Sequence, residues 1–235
     1  MELESAKKEG HFRVGLIVPS SNTTIEVDFY NHLEEKATVH IARMYLDTTT
    51  KEAEEVMVRE STPEAADMIR TLYPHVTVFG CTSGGSLFGL DYDRKIAKDL
   101  TEWTGAGKTV TVLGAVSEQL QHFGAKRIAV FTPYIDELNE TIKSCLEEDG
   151  IEVLSIQGMG ITVNFDIGVV TPEEILAFAK ERYKDPDADA LFFSCTNMRA
   201  MDAVPILEKE FGKPIVTSNQ AAVETVNRIY RSVMN

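Results

Sequence analysis

Four short runs of β-branched and aromatic residues punctuate the chain: Val14-Gly-Leu-Ile-Val18, Val76-Thr-Val-Phe79, Ile128-Ala-Val-Phe131 and Ala190-Leu-Phe-Phe193. Nearly unbroken apolar runs of this length predict strands buried on both faces of a parallel sheet. Weaker runs at Val39 to Tyr45, Val110 to Val112, Val153 to Ile156 and Pro214 to Thr217 predict further strands. Between them, apolar residues recur at helical spacing. They predict helices over Ile25 to Glu35, Thr62 to Tyr73, Asp93 to Thr104, Val116 to Phe123, Glu137 to Glu148, Pro172 to Lys184, Met201 to Phe211 and Gln220 to Ser232. Strands alternating with helices of this length indicate βαβ units and therefore an α/β fold.

The pattern also repeats. Laid 114 residues further on, Val14 to Val18 falls on Ile128 to Thr132, Pro19 on Pro133, and Phe79-Gly-Cys-Thr82 on Phe193-Ser-Cys-Thr196. A period near half the chain indicates duplication of a whole α/β unit and not a solenoid, whose periods are much shorter. The expectation is two pseudo-twofold-related domains, each a parallel four-stranded sheet flanked by helices. Residues 12–115 form the first and carry Cys81; residues 116–235 form the second and carry Cys195, with the C-terminal helix a candidate to cross over. In open α/β sheets, ligands sit beyond the carboxyl ends of the strands. Both Cys-Thr pairs follow directly on a predicted strand, so both thiols are expected to face one shared cleft.

Charge narrows the partners. With 37 acidic and 23 basic residues the net charge is −14, which repels nucleic acid and anionic lipid. No apolar stretch approaches the ~20 residues of a membrane helix. The start, Met1 to His11, is polar, reads as no signal peptide, and is expected to lie outside the fold. A cytoplasmic protein with free thiols follows. Cys81, Cys145 and Cys195 form an odd set with wide spacing, which fits neither a disulfide framework nor a metal site. Cys145, within a helical pattern, reads as a small buried hydrophobe.

Cys81 opens Cys81-Thr-Ser-Gly-Gly-Ser86, where glycines let the backbone turn and present successive N–H groups to an anion. Thr82 and Ser83 add hydroxyl donors, so a carboxylate can be held there without arginine; the alternative is a plain strand-to-helix turn. Cys195 opens Cys195-Thr-Asn-Met-Arg199, with Thr196 and Asn197 as donors and Arg199 read as a solvent-exposed residue one turn into a helix. A thiolate at a helix N-terminus is stabilised by the dipole. Which cysteine is nucleophile and which is acid stays open at this level. In Pro19-Ser-Ser-Asn22-Thr-Thr24, Asn22 is either a ligand donor or a helix cap. Tyr134, in the matching loop of the second half, either bonds a substrate carboxylate or lines the cleft. Asn164 reads as a loop residue.

Taken together, Val14-Gly-Leu-Ile-Val-Pro-Ser-Ser-Asn-Thr-Thr24, Gly80-Cys-Thr-Ser-Gly84 and Ser194-Cys-Thr-Asn-Met-Arg199 resemble the bacterial maleate cis-trans isomerases of the aspartate/glutamate racemase and arylmalonate decarboxylase superfamily. The likeness runs from about Val14 onward. It implies an Asp/Glu racemase-like fold, a site between the domains, no metal or organic cofactor, a small dicarboxylate substrate and a homodimer. It also implies that Cys81 adds to the double bond as a thiolate while Cys195 is the acid/base partner. Asn22, Tyr134 and Asn164, with the backbone around Thr82 and Ser83, would grip the carboxylates. Racemases of the superfamily would use the same two thiols to move a proton across the α-carbon. Arylmalonate decarboxylases have glycine at the first cysteine position, and Cys81 counts against them. A non-catalytic dicarboxylate binder is the remaining alternative.

Overall fold

The four strong runs become the inner strands of two sheets. The structure, a computed structural model, describes residues 3 and 5–234. The first half runs α1 (Ser5–Glu9), β1 (Phe12–Pro19), α2 (Ile25–His32), β2 (Ala37–Met44), α3 (Lys51–Val56), a π-helical segment (Met57–Ser61), α4 (Thr62–Arg70), β3 (Val76–Phe79), α5 (Thr82–Ser86), α6 (Leu90–Thr104), β4 (Lys108–Thr111) and α7 (Val112–His122). The second runs β5 (Arg127–Thr132), α8 (Asp136–Glu148), β6 (Glu152–Gly158), α9 (Asn164–Gly168), α10 (Pro172–Arg182), β7 (Ala190–Phe193), α11 (Ala200–Phe211), β8 (Ile215–Thr217) and α12 (Ser218–Met234). Among the described residues the strands form two four-stranded sheets, ordered β2-β1-β3-β4 and β6-β5-β7-β8, and every pairing is parallel.

The sequence repeat is also a repeat of register. Val14 pairs with Val39 and Val76; the residues 114 further on, Ile128, Val153 and Ala190, pair in the same way. The match ends at the fourth strand. Phe79 lies opposite Thr111 but Phe193 lies opposite Thr217, an offset of 106, because α6 has 15 residues where α11 has 12 and α5 has no counterpart before α11. Phe131 stacks on Phe193 with ring centroids 5.0 Å apart, and both are buried, as are Leu16, Ile17, Val130 and Phe192. Burial of each such side chain stabilises the fold by roughly 1.5–3 kcal/mol.

Three expectations are revised. The strand predicted over Val110 to Val112 stops at Thr111, whose hydroxyl accepts the Gly114 N–H at 3.2 Å and so starts α7 four residues earlier than the apolar pattern indicates. Helical structure also occupies Lys51–Ser61, where the sequence has no apolar stripe to announce it. The start is not wholly outside the fold: α1 buries Ala6, and Ser5 bonds the ring of buried His75 at 3.2 Å. Met1, Glu2 and Glu4 lie outside the described residues.

α7 and α12 pack side by side, and each also meets the edge strand of the opposite sheet, β8 and β4 respectively. α12 continues to α2. Asn227 accepts the Glu34 N–H at 3.0 Å and donates to the His32 carbonyl at 2.9 Å, closing the C-terminal end of a helix from the other half. A cut between residues 115 and 116 falls inside α7; we propose the linker at 123–126 as the boundary instead, with α7 and α12 as a shared layer. Among the described residues no helix is long and apolar enough to cross a membrane.

Candidate active site

Both cysteines leave the carboxyl ends of central strands by the same device. Gly80 N–H donates to the Ile17 carbonyl at 2.8 Å, and Ser194 N–H donates to the Phe131 carbonyl at 2.8 Å, extending the sheet one residue beyond β3 and β7. Position 80 must be glycine because a Cβ there would lie 2.9 Å from the Ile17 carbonyl oxygen. Cys81 then caps α5, its sulfur accepting the Gly84 N–H at 3.4 Å. Cys195 is built differently. It holds φ at +148°, a conformation that side chains rarely adopt and that persists where surrounding structure enforces it, commonly at functional sites. The enforcement is visible: its N–H donates to Ser218 Oγ at 3.0 Å and its sulfur accepts the Asn197 N–H at 3.3 Å.

The two cysteine motifs are bonded to each other. Ser218 Oγ accepts from Thr82 Oγ1 at 2.9 Å as well as from the Cys195 N–H, and Thr196 Oγ1 donates to the Gly80 carbonyl at 3.0 Å. Asn22 Nδ2 donates to Thr196 Oγ1 at 2.9 Å while its Oδ1 accepts the Thr24 and Ile25 N–H groups at 2.9 and 3.1 Å. Asn22 therefore closes the turn into α2 with its oxygen while its amide nitrogen bonds Thr196 of the other half. Asn164 opens α9 and is not loop; its Nδ2 donates to Ser21 Oγ at 2.8 Å and its carbonyl accepts from Asn197 Nδ2 at 2.6 Å. Asn197 Oδ1 in turn accepts the Thr23 N–H at 2.8 Å. The buried Tyr134 hydroxyl belongs to the same electrostatic group: it favours the Cys195 thiolate, and both cysteines act on it. Ser83 completes the group, 3.8 Å from the Cys81 sulfur. Cys81, Cys195, Asn22, Thr82, Ser83, Tyr134, Asn164, Thr196 and Asn197 thus form one continuous buried network. Arg199 does not join it: it precedes α11, is partly exposed and pairs with Asp202 at 3.0 Å. Cys145 is buried in α8 with its thiol directed at the Ser86 carbonyl, 3.4 Å away.

Sequence reasoning missed Ser218 and Glu54. Ser218 follows β8 as Cys195 follows β7, and a polar residue directly after a predicted strand is the signal that would have found it. Glu54 had none. It lies on α3, fully buried, and accepts the Ser83 hydroxyl at 2.6 Å.

The electrostatics are those of a buried, nearly neutral site. Burial pushes the Cys195 thiol up to about 11, opposed by the Tyr134 hydroxyl and the N–H groups of Asn197 and Met198. Burial first, then the Glu54 carboxyl, holds the Cys81 thiol well above its ordinary range, opposed by the Gly84 N–H and Ser83. Glu54 itself is raised by burial to about 8. At neutral pH the resting pocket therefore holds two thiols and a mostly protonated carboxyl. It is also closed, with each cysteine only 4% exposed. The loop after β2 joins the loop after β6 through a Thr48–Val163 antiparallel bridge, Thr49 N–H to the Thr162 carbonyl at 2.7 Å, and Asn164 N–H to the Asp47 carbonyl at 2.8 Å. Gly158 shapes the second half of the site: a Cβ there would fall 2.2 Å from the Tyr134 carbonyl and 2.5 Å from Asn139 Nδ2. Gly158→Ala is expected to destabilise the fold by about 1–3 kcal/mol, readable as a lowered urea midpoint.

The arylmalonate decarboxylase family profile matches residues 14–232. The chain belongs to that family. A maleate isomerase of Geobacillus stearothermophilus is 30% identical over 95% of this chain and 92% of its own length. Two solved structures superpose closely. A cysteine-to-serine mutant of the Nocardia farcinica maleate cis-trans isomerase, carrying a covalently bound succinylcysteine intermediate, matches with a TM-score of 0.88 at 25% identity, covering 94% of each chain. A cysteine-to-alanine mutant of the Pseudomonas putida S16 maleate isomerase with maleate matches with a TM-score of 0.86 at 27% identity, covering 92% of this chain and 90% of that one. Within the family, this chain's two-sheet α/β architecture is the shared fold, and a cysteine adduct is the chemistry seen in the Nocardia relative.

Proposed function

We propose that the chain is a maleate cis-trans isomerase in which Cys81 is the nucleophile and Cys195 the acid/base partner. The observation that supports this most is the single Ser218 hydroxyl that receives a bond from each cysteine motif, tying both thiols to one pocket. Cys81 rests as a thiol; it gives its proton to water while the site is open and adds as thiolate to one olefinic carbon, and the C=C electron pair moves onto the other carbon and its carboxylate. Cys195 delivers its proton to that second carbon, which leaves a succinyl group on the Cys81 sulfur and a rotatable C–C bond. After rotation the Cys195 thiolate takes a proton back, the double bond re-forms and the C–S bond breaks, releasing fumarate with Cys81 again a thiolate. Thiol addition and proton transfer need no cofactor.

Tyr134, beside Cys195 in the buried site, favours the Cys195 thiolate. Asn22 and Asn164, with the Thr82 and Ser83 backbone, are the proposed carboxylate donors; Thr196 and Asn197 hold the two halves in register around them. Because both sulfurs are closed off, substrate enters when the Thr48–Val163 strap parts. A cytoplasmic, homodimeric enzyme completes the proposal; three free buried thiols agree with a reducing compartment, and sedimentation measures the dimer. The deciding experiment follows the olefinic proton signals of maleate by NMR under reducing conditions. Conversion to fumarate is expected, and unchanged maleate rejects the assignment.

A further inference from the structure

Glu54 has one oxygen occupied and one free. Its Oε1 accepts the Ser83 hydroxyl at 2.6 Å, whereas Oε2 is buried without a hydrogen-bond partner. Buried polar atoms are nearly always partnered, and an exception calls for an explanation. The carboxyl belongs to the cysteine pocket: Ser83 stands two residues from Cys81, and Glu54 acts electrostatically on Cys81, Cys195 and Tyr134 alike. Ser83 is its hydrogen-bonding partner, and neither Ser83 nor the three groups that Glu54 acts on carries positive charge. We propose that Glu54 is a substrate-binding residue that works as a neutral carboxylic acid, donating its Oε2 proton to one carboxylate of the bound dicarboxylate. The inference rests on the pocket being a dicarboxylate site, as proposed above.

The chemistry is that of a charge-assisted O–H···O⁻ bond, among the stronger hydrogen bonds available in a dry site. It meets a specific need: the network of hydroxyls, amides and N–H groups contains no arginine or lysine to balance a dianion. A carboxylate at position 54 would instead repel the substrate. Burial keeps the proton on up to about pH 8. The thiols of Cys81 and Cys195 and the phenol of Tyr134 all ionise higher, so a binding change near pH 8 belongs to Glu54.

The test measures maleate binding calorimetrically to C81S, C81S/E54Q and C81S/E54L. With the cysteine replaced, binding is read without turnover. C81S affinity is expected to hold from about pH 7 to 8 and then fall about tenfold per unit as the acid ionises. C81S/E54Q is expected to bind with no such fall, because the amide donates at every pH and keeps the Ser83 bond. C81S/E54L, lacking a donor, is expected to bind about tenfold or more weakly throughout. An identical fall in the glutamine variant, or full affinity in the leucine variant, overturns the proposal. Wild-type conversion of maleate, followed in parallel, separates the two readings: turnover with an unaltered pH response removes only the role of Glu54, whereas neither binding nor turnover removes both.

Discussion

Cys81→Ser is expected to lower kcat/KM for maleate by roughly a thousandfold or more, while Cys195→Ser is expected to stall after addition and accumulate a succinyl adduct on Cys81. The asymmetry follows from the two environments. A serine hydroxyl at position 81 is a hard, poorly ionised nucleophile in a pocket that already holds a thiol well above its ordinary range by burial. The Gly84 N–H and Ser83, which favour a thiolate there, cannot make up that difference. At position 195 a hydroxyl would still accept the Asn197 N–H, but it ionises far less readily than a thiol held at about 11, so once water has supplied the proton that completes the adduct no base stands there to remove it for elimination. Intact-protein mass spectrometry after brief exposure to maleate reads the adduct, and peptide mapping places it. An adduct on Cys195, or a Cys81→Ser protein with wild-type turnover, reverses the roles. The protonation of Glu54 bears on the same step, since its charge is one of the influences that raise Cys81; with Glu54 mostly protonated at neutral pH, that influence is largely absent.

How much of this could be read from residues alone depended on whether the signal was local. The inner strands are legible because a strand covered on both faces has nothing but apolar positions, and Val76 to Phe79 and Ala190 to Phe193 are fully buried over the spans that the apolar runs mark. The pairing of Cys81 with Cys195 was legible because duplication preserved the register that places both at strand ends. Glu54 was not. Lys51-Glu-Ala-Glu-Glu55 looks like a solvated helix face; that its second glutamate turns inward depends on Thr50 capping α3 through the Ala53 N–H at 3.3 Å and on Ser83, 29 residues away in sequence, accepting it as a partner. The positive φ of Cys195 is equally invisible, because the bond that holds it comes from Ser218 after a different strand. Asn22 shows why the competing readings of a single residue were hard to separate: one amide group caps a helix with its oxygen and reaches the site with its nitrogen.

The second large effect is on stability. Wild-type unfolding free energy is expected to fall as pH rises from about 5 to 8.5, by on the order of 5 kcal/mol. Asp28, Asp93 and Glu54 are buried carboxyls raised by burial to about 6, 7 and 8 from ordinary values of 3.8, 3.8 and 4.5. The folded state therefore binds more protons than the unfolded chain across that interval. Stability from these groups is fully present below the unfolded values and is lost as pH climbs through the folded ones, each at up to about 1.4 kcal/mol per pH unit. The exposed carboxyls Glu9, Glu174 and Asp189 are lowered instead, so their contribution is complete near pH 5 and does not mask the trend. His40 and His75, lowered chiefly by burial, oppose it up to about their ordinary value of 6.5. Above about pH 7 the decline is therefore carried mainly by Asp93 and Glu54. Asp93→Asn keeps an acceptor for the Thr111 hydroxyl, which bonds Asp93 at 2.6 Å, and removes the ionisable group. It is expected to be more stable than wild type by about 1–3 kcal/mol at pH 8.5 and nearly equal to it at pH 5. Urea titrations at the two pH values measure both quantities; a wild-type stability that stays level or rises with pH would show that these carboxyls are ionised within the fold.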